Sequence, residues 1–398
     1  MTVQYTFPGH WIAYDARAIV NELTAAKAAV LSLTTMPFQR SWAEKLQAME
    51  LKREVAGTSK IEGADFTDQE LDEAISGAGG EEHLTRSQKQ ARAAINTYRW
   101  IANLEAGRPV DLDLIKNIHS RIVMGCDDDH CPPGILRGNG QNVVFGKPRH
   151  RGVDGGENCE KALGALIDAF NTEYRTHDSL IQALALHYHF GAMHPFHDGN
   201  GRTARALEAF LLQRAQLKDT LFIAMSNYYY DEKNAYLAAL SAVRHGDYDL
   251  TPFLKFALNG IASQCGRLLK EIKVHVQKSL FRDIMWRMYG RLQSTRKRAL
   301  AHRQCAILSK LLDLDHPIEY RDLFALLEKH YTSLKGPLGA FVRDLNGLSS
   351  LGATLVTEES GKQFPVVVRL DWATEITETD FYHQIDKMPE AKTRLVVD

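Results

Sequence analysis

The sequence predicts an all-α protein with one small β-hairpin flap and a C-terminal winged-helix-like α+β module. Three observations carry this expectation. Apolar residues recur at helical spacing through most of residues 16–123 and 160–293. The stretch 134–156 breaks that rhythm with glycines, a proline and a short β-prone centre. Beyond residue 300, helical patterns give way to a pair of β-like runs.

Taken in order, residues Tyr5 to Tyr14 form an irregular aromatic stretch. Helical spacing runs from about Ala16 to Leu33, then from Ser41 to Ile61, stopping at Gly63. Thr67, with Glu70 three residues later, reads as a capping box for the next helix. Amphipathic patterns follow at 86–105 and 111–123. The string GILRGNGQNVVFGKPRHRGVDGG, centred on Asn142–Phe145, reads as a hairpin. Helices resume at Glu160–Tyr174 and Ser179–Met193. A loop, His194–Gly201, leads into a helix over Arg202–Gln216, and further patterns lie near 231–245 and 250–293. The basic cluster Arg296-Lys297-Arg298 marks a boundary. Beyond it, helical patterns at 303–313, 320–330 and 335–347 precede the runs Ala353–Glu358 and Phe364–Leu370, which flank Ser360-Gly361-Lys362. The expected divisions are a helical region at 1–110, a core at 111–295 and a terminal module at 300–398.

With 398 residues, the chain is long for one hydrophobic core. A hydrophobic fraction of 44% and a charged fraction of 24% argue against disorder. A formal net charge of -1 offers no global attraction to nucleic acid or anionic membrane. The cysteines, Cys126, Cys131, Cys159, Cys265 and Cys305, form no CxxC pair and are odd in number, which fits a reducing compartment. No signal peptide and no membrane-spanning run are read, so the expected location is the cytoplasm.

Residues 194–205 read HPFHDGNGRTAR. Asp198-Gly199-Asn200-Gly201 reads as a tight turn whose N–H groups can form an anion nest. A helix starting near Arg202 adds its dipole and free N–H groups, which favour phosphate. Arg202 and Arg205, three apart, share a helix face, and each can fork two hydrogen bonds onto phosphate oxygens. Asp198 is a hard oxygen ligand beside this site, suited to Mg²⁺ held jointly with phosphates. His194, at the lip, is suited to taking a proton. Phe196 reads as a buried anchor for the loop. Together these groups point to phosphate transfer from a Mg-nucleotide.

The string resembles the signature of the Fic family, HxFx(D/E)GNGRxxR, at His194, Phe196, Asp198, Gly199, Asn200, Gly201, Arg202 and Arg205. The resemblance extends over roughly residues 5–260. It implies an all-α core with a hairpin flap, and transfer of AMP from ATP to a Ser, Thr or Tyr hydroxyl of a protein. It makes His194 the general base, Asp198 the Mg²⁺ ligand, Gly199, Asn200, Gly201 and Arg202 the phosphate cradle, and Arg205 the γ-phosphate contact. Gly201 favours AMP transfer over the phosphorylation of the similar Doc branch, where a larger residue stands. The flap near Gln141–Lys147 would align an extended target segment by strand addition. The string NAYLAALSAVRHGDY resembles the family's helix bordering the adenine. That makes Tyr236 and Arg244 nucleotide contacts, or else a half-buried tyrosine and a solvated arginine.

His187 and His189 stand close to His194 and His197, but two-residue spacing on a helix points His187 and His189 to different faces. This favours packing or hydrogen-bonding roles over a shared metal. In TSKIEG, Thr58 and Glu62 lie one turn apart on one face, and Gly63 can close the helix in a left-handed cap. The string resembles the family's inhibitory motif, (S/T)xxxE(G/N), which implies that Glu62 pairs with Arg205 and obstructs γ-phosphate placement. Removal of AMP by the same residues stays open, as does a DNA-binding regulator with a nucleotide-sensing core. In the terminal module, Lys335 and Arg343 stand with Asp344, and Glu358 and Glu359 with Lys362. Such mixed charge favours protein contact or homodimer formation over DNA.

Overall fold

The computed structural model describes residues 3–35, 40–76, 84–105, 107–126, 130–146, 148–215, 223–290, 295–314, 316–350, 353–356 and 365–370. Contacts divide the chain into two compact units, Met1–Leu269 and Lys270–Asp398. The sequence placed divisions near 110 and at the basic cluster 296–298. In the structure, residues on both sides of 110 share one unit, and the cluster lies inside a helix of the second.

The first unit is a helical assembly. Its helices are α1 (Ala16–Thr35), α2 (Arg40–Ile61), α3 (Asp68–Ser76), α4 (Arg86–Ala102), α5 (Leu112–Val123), α6 (Glu157–Asn171), α7 (Ser179–Met193), α8 (Asn200–Arg214), α9 (Met225–Asp231), α10 (Lys233–His245) and the start of α11 (Thr251–Gly290). Thr67 and Glu70 form the expected capping box at α3: each accepts the other's backbone N–H, at 2.7 and 3.2 Å. Thr85 and Gln88 form a second one at α4. α7 is buried on all sides, with Leu184, Ala185, Leu186 and Phe190 at 0% exposure, as expected of a helix that is apolar all round. This central helix carries His194 at its C-terminal end.

The hairpin is present, with β2 (Val144–Phe145) antiparallel to β3 (His150–Arg151). A strand not expected from the sequence joins it: β1 (Val3–Gln4) pairs parallel with β3, giving the order β1-β3-β2. The expected aromatic stretch then crosses α7, where Tyr5 is buried and its hydroxyl bonds His189 Nδ1 at 3.0 Å. Lys147 of the flap and Gln216 of the expected helix end lie outside the described residues.

The second unit holds α12 (Thr295–Asp313), β4 (Ile318–Glu319), α13 (Tyr320–Leu327), α14 (Pro337–Ser350), β5 (Thr354–Val356) and β6 (Pro365–Val368). β6 pairs antiparallel with both β4 and β5. Glu358, Glu359, the run Ser360-Gly361-Lys362 and Phe364 lie outside the described residues. Phe281, Ile307, Leu323, Phe341 and Leu348 form the core. Lys335 precedes α14 rather than riding on it, and Asp344 turns inward at 5% exposure. Among the described residues, no helix is long and apolar enough to cross a membrane.

Asp344 accepts from Arg303 Nε at 2.7 Å and from the Tyr331 hydroxyl at 3.1 Å. Replacing Asp344 by Ala leaves both donors without their acceptor, and we expect the second unit to lose about 3 kcal/mol of stability. Urea unfolding of the full chain would measure it; a loss below about 0.5 kcal/mol would show the network to be dispensable.

Candidate active site

His194 is the C-cap of α7 and sits in the left-handed region, φ 54° and ψ 57°. Its Nδ1 lies 3.0 Å from the Gly191 carbonyl. A carbonyl can only accept, so the proton sits on Nδ1 and Nε2 keeps its lone pair. The ring stacks on Phe145 of β2 at 3.7 Å and is half-buried. Burial pushes its pKa down to about 4, against smaller upward pulls from the Gly191 bond and the Glu62 carboxylate. At neutral pH the imidazole is therefore uncharged and able to take a proton.

The loop after His194 is braced from beneath. Phe196 is fully buried, as expected of an anchor, and stacks on His119 at 3.6 Å. Asn200 Oδ1 accepts the Phe196 N–H and Asn200 Nδ2 donates to the Phe196 carbonyl, both at 2.9 Å. The Asn200 side chain thus fastens the loop instead of reaching outward. His119 Nδ1 accepts the Gly134 N–H at 3.0 Å, which leaves a proton on Nε2 to donate to the Asp198 carbonyl at 3.0 Å.

The helix expected from Arg202 begins two residues earlier, at Asn200. The turn closes on Gly199 alone, at φ 73°, and this N-cap supplies no side-chain bond. Helix geometry therefore leaves the N–H groups of Asn200, Gly201 and Arg202 without intrahelical partners. Asp198 stands beside them with a 57% exposed side chain; one oxygen accepts the Gly199 N–H at 2.7 Å. The other lies 3.4 Å from Arg202. Arg202 is 3% exposed, and among the described residues its Nε has no hydrogen-bond partner. An orphaned buried guanidinium N–H beside open helix N–H groups suits an anion.

Arg205 is also 3% exposed, and Thr58 and Glu62, one turn apart, both meet it. Its Nε donates to Thr58 Oγ1 at 3.0 Å. Its NH2 group donates to the Thr58 carbonyl at 3.2 Å and to Glu62 Oε1 at 2.6 Å. Burial alone would lower the Arg205 pKa, but Glu62 holds it above the usual value. Gly63, at φ 89°, closes α2 in the expected left-handed conformation. Gly201 admits this pair: a Cβ there would lie 2.5 Å from Glu62 Oε1 and 3.2 Å from Arg205.

A cavity of about 390 Å³ opens over these groups, lined by His194, Asp198, Gly201, Arg205, Tyr236 and Arg244 among others. Tyr236 is buried, and its hydroxyl bonds His187 Nε2 at 2.9 Å; burial pushes its pKa up to about 12. Arg244 lies over the Phe145 ring at 5.5 Å. The other nitrogen of His187 bonds Glu208. His189 Nε2 donates to the Trp11 carbonyl at 2.7 Å, opposite the Tyr5 bond to Nδ1. The two rings are thus engaged in different neighbourhoods. Sequence reasoning missed Arg137. It is buried, its Nε donates to the His194 carbonyl at 2.8 Å, and its terminal nitrogens bond the Gln141 and Val153 carbonyls. An arginine between flap glycines was the only signal for it.

Residues 109–212, from just before α5 into α8, match the Fic/DOC family. The whole chain resembles a Fic family protein from Desulfovibrio desulfuricans G20, with a TM-score of 0.55 and 18% identity, over 93% of this chain and 98% of that one. Fic-1 from C. elegans aligns with a TM-score of 0.54 and 18% identity over 65% of this chain and 74% of that one. A Fic domain containing signaling protein from Bacteroides thetaiotaomicron VPI-5482 aligns with a TM-score of 0.52 and 17% identity, over 64% and 97%. At these identities the likeness is one of fold.

The lowered pKa of His194 has a direct readout. Burial penalises the imidazolium, so the ring should stay neutral as pH falls past 6.5 and protonate near pH 4. The unfolded chain takes up this proton first, so the contribution of His194 to stability falls as pH drops through that window. NMR titration, assigned by loss of the signal in His194→Gln, would test it. A midpoint at or above 6.5 would contradict the burial argument.

Proposed function

We propose that this chain transfers AMP from ATP to a Ser, Thr or Tyr hydroxyl of a protein, itself included, and that Glu62 holds it in an inhibited resting state. Fic domain proteins generally transfer a nucleotide monophosphate to proteins, which sets the reaction class. The observation that carries the specific reading is at Arg205. A buried guanidinium suited to phosphate is engaged by Glu62 at 2.6 Å, while the adjoining N–H groups of Asn200, Gly201 and Arg202 have no partner within α8.

In this reading the target hydroxyl oxygen attacks the α-phosphorus. The new O–P bond forms as the bond to the β-phosphate oxygen breaks, and pyrophosphate leaves. The hydroxyl proton passes to His194 Nε2, whose lone pair the Gly191 bond keeps available. The N-terminal N–H groups of α8 and the Arg202 guanidinium stabilise charge on the phosphate oxygens. Asp198, with one exposed carboxylate beside the phosphate cradle, fits Mg²⁺ shared with phosphates rather than an all-protein cage. That ion would neutralise phosphate charge. Gly199 sets the turn, and Thr58 and Gly63 place Glu62. Tyr236 and Arg244 wall the cavity where a nucleotide base would lie.

β1 already occupies one edge of the flap, so an extended target segment would add along β2. That edge carries Phe145 against His194, which brings the target hydroxyl to the base. For the second unit we favour protein contact, self-association included, over DNA. Its exposed Lys335 and Arg343 form no continuous basic stripe.

The test is incorporation of α-labelled ATP. Glu62→Gly should raise self-labelling, and Glu62→Asp should raise it less, because the shorter acid still approaches Arg205. Adding Arg205→Ala to Glu62→Gly should cancel the gain. A folded, ATP-binding Glu62→Gly variant with parental labelling would sink the inhibitory reading. Loss of label from pre-labelled protein would instead indicate AMP removal.

Replacing His194 by Ala should leave nucleotide binding intact and lower transfer by about 10²–10⁴-fold. Labelling at the parental rate would exclude His194 as the base.

A further inference from the structure

The inhibitory contact depends on how deeply α2 sits in the first unit, and groups outside the inhibitory motif decide that depth. Glu54 lies one turn before Thr58 on α2 and is 1% exposed. Its carboxylate accepts the backbone N–H of Ser226 at 2.7 Å, the Ser226 hydroxyl, and the Tyr98 hydroxyl at 2.8 Å. Ser226 belongs to α9 and Tyr98 to α4. Both are fully buried.

Gly57 stands between these groups and the inhibitory residues. A Cβ there would lie 2.4 Å from the Ser226 carbonyl carbon and the Asn227 nitrogen, and 2.5 Å from the Ser226 oxygen. The opposing atoms are all backbone, so no side chain can rotate aside. At the end of α2, Lys233 Nζ donates to the Ile61 carbonyl at 2.8 Å. α2 is therefore bonded at Glu54 and at the Ile61 carbonyl, with the close approach at Gly57 between them.

We propose that α9 sets the brake: the seam of Glu54, Gly57, Ser226 and Tyr98 holds α2 at the depth where Glu62 reaches Arg205. Displacing α9 from α2 then releases the site with Glu62 and Arg205 both unaltered. These four are positioning residues, and their role rests on Glu62 being inhibitory. The magnitudes support the coupling. Non-bonded atoms settle at about 3.5–4.0 Å, so a methyl at position 57 displaces α2 relative to α9 by about 1 Å. The Glu62–Arg205 bond is 2.6 Å, and such bonds are lost beyond about 3.2 Å. A displacement of that size exceeds the roughly 0.6 Å by which the pair can lengthen and still hold.

The experiment compares the parent chain with Gly57→Ala, Ser226→Ala, Glu62→Gly and the Gly57→Ala/Glu62→Gly double variant. Self-labelling is measured with α-labelled ATP, and binding of α,β-methylene-ATP and ADP by calorimetry. Gly57→Ala and Ser226→Ala should each raise labelling, by about 5–30-fold for a loss of 1–2 kcal/mol of inhibitory contact. They should tighten the triphosphate and leave ADP unchanged, because only the γ-phosphate competes with Glu62 for Arg205. A merely structural role would not move that ratio. On the Glu62→Gly background, Gly57→Ala should add nothing. If Glu62→Gly is active while folded Gly57→Ala and Ser226→Ala keep parental labelling and ligand ratio, the seam does not set the brake. If Glu62→Gly itself stays parental, the inhibitory reading fails first. Should Gly57→Ala not fold, Ser226→Ala and Tyr98→Phe decide.

Discussion

A buried guanidinium has to be given acceptors. Arg205 is charged, almost wholly enclosed, and would be costly to leave unpaired. Thr58, in the last turn of α2, and Glu62, in the turn just after it, supply the acceptors. This requirement draws α2 against α8, so the N-terminal helices and the motif helix share one unit. It also explains the bare position 201, where a side chain would collide with the carboxylate that Arg205 needs. An incoming phosphate would be a substitute acceptor. A contact that stabilises the fold and one that obstructs a ligand can therefore be the same contact.

The loop from His194 to Gly199 meets a different constraint. Its groups have to stand at fixed places, and nothing in a six-residue loop is rigid by itself. Rigidity comes from beneath and from the side. The Asn200 amide fastens the loop to its own Phe196, His119 holds the Asp198 carbonyl, and Arg137 ties the flap to the His194 carbonyl. Each is a buried polar group satisfied by backbone, and each removes freedom before a ligand arrives. The buried histidines follow the same logic. His119, His189 and His194 each have a tautomer dictated by a carbonyl or N–H partner, and burial keeps all three neutral, with pKa values near 4.

Much of the site was legible because it is local. His194, Asp198, Arg202 and Arg205 lie within one loop and one helix turn, so their spacing alone places them together. Thr58 and Glu62 were legible for the same reason, as one helix face. The first turn of α8 was misplaced by two residues, since Asn200 and Gly201 look like turn formers. Here Asn200 bonds back to Phe196 from inside the helix. α9 was missed because SNYYYD is short and lacks a helical repeat. The second flap edge was missed because β1 spans only Val3–Gln4.

Helix periodicity, capping residues and the glycine turn before α8 were determined by the sequence by itself, since each depends on neighbours within about one turn. Only the tertiary structure decided which helix serves Arg205, which strand edge stays open, and that Tyr236 bonds His187. Arg205 and Thr58 stand 147 positions apart, and Glu54 and Ser226 stand 172 apart. No spacing rule reaches that far. Such pairs form because packed helices bury polar groups, and a buried polar group has to find its partner wherever the fold has placed one.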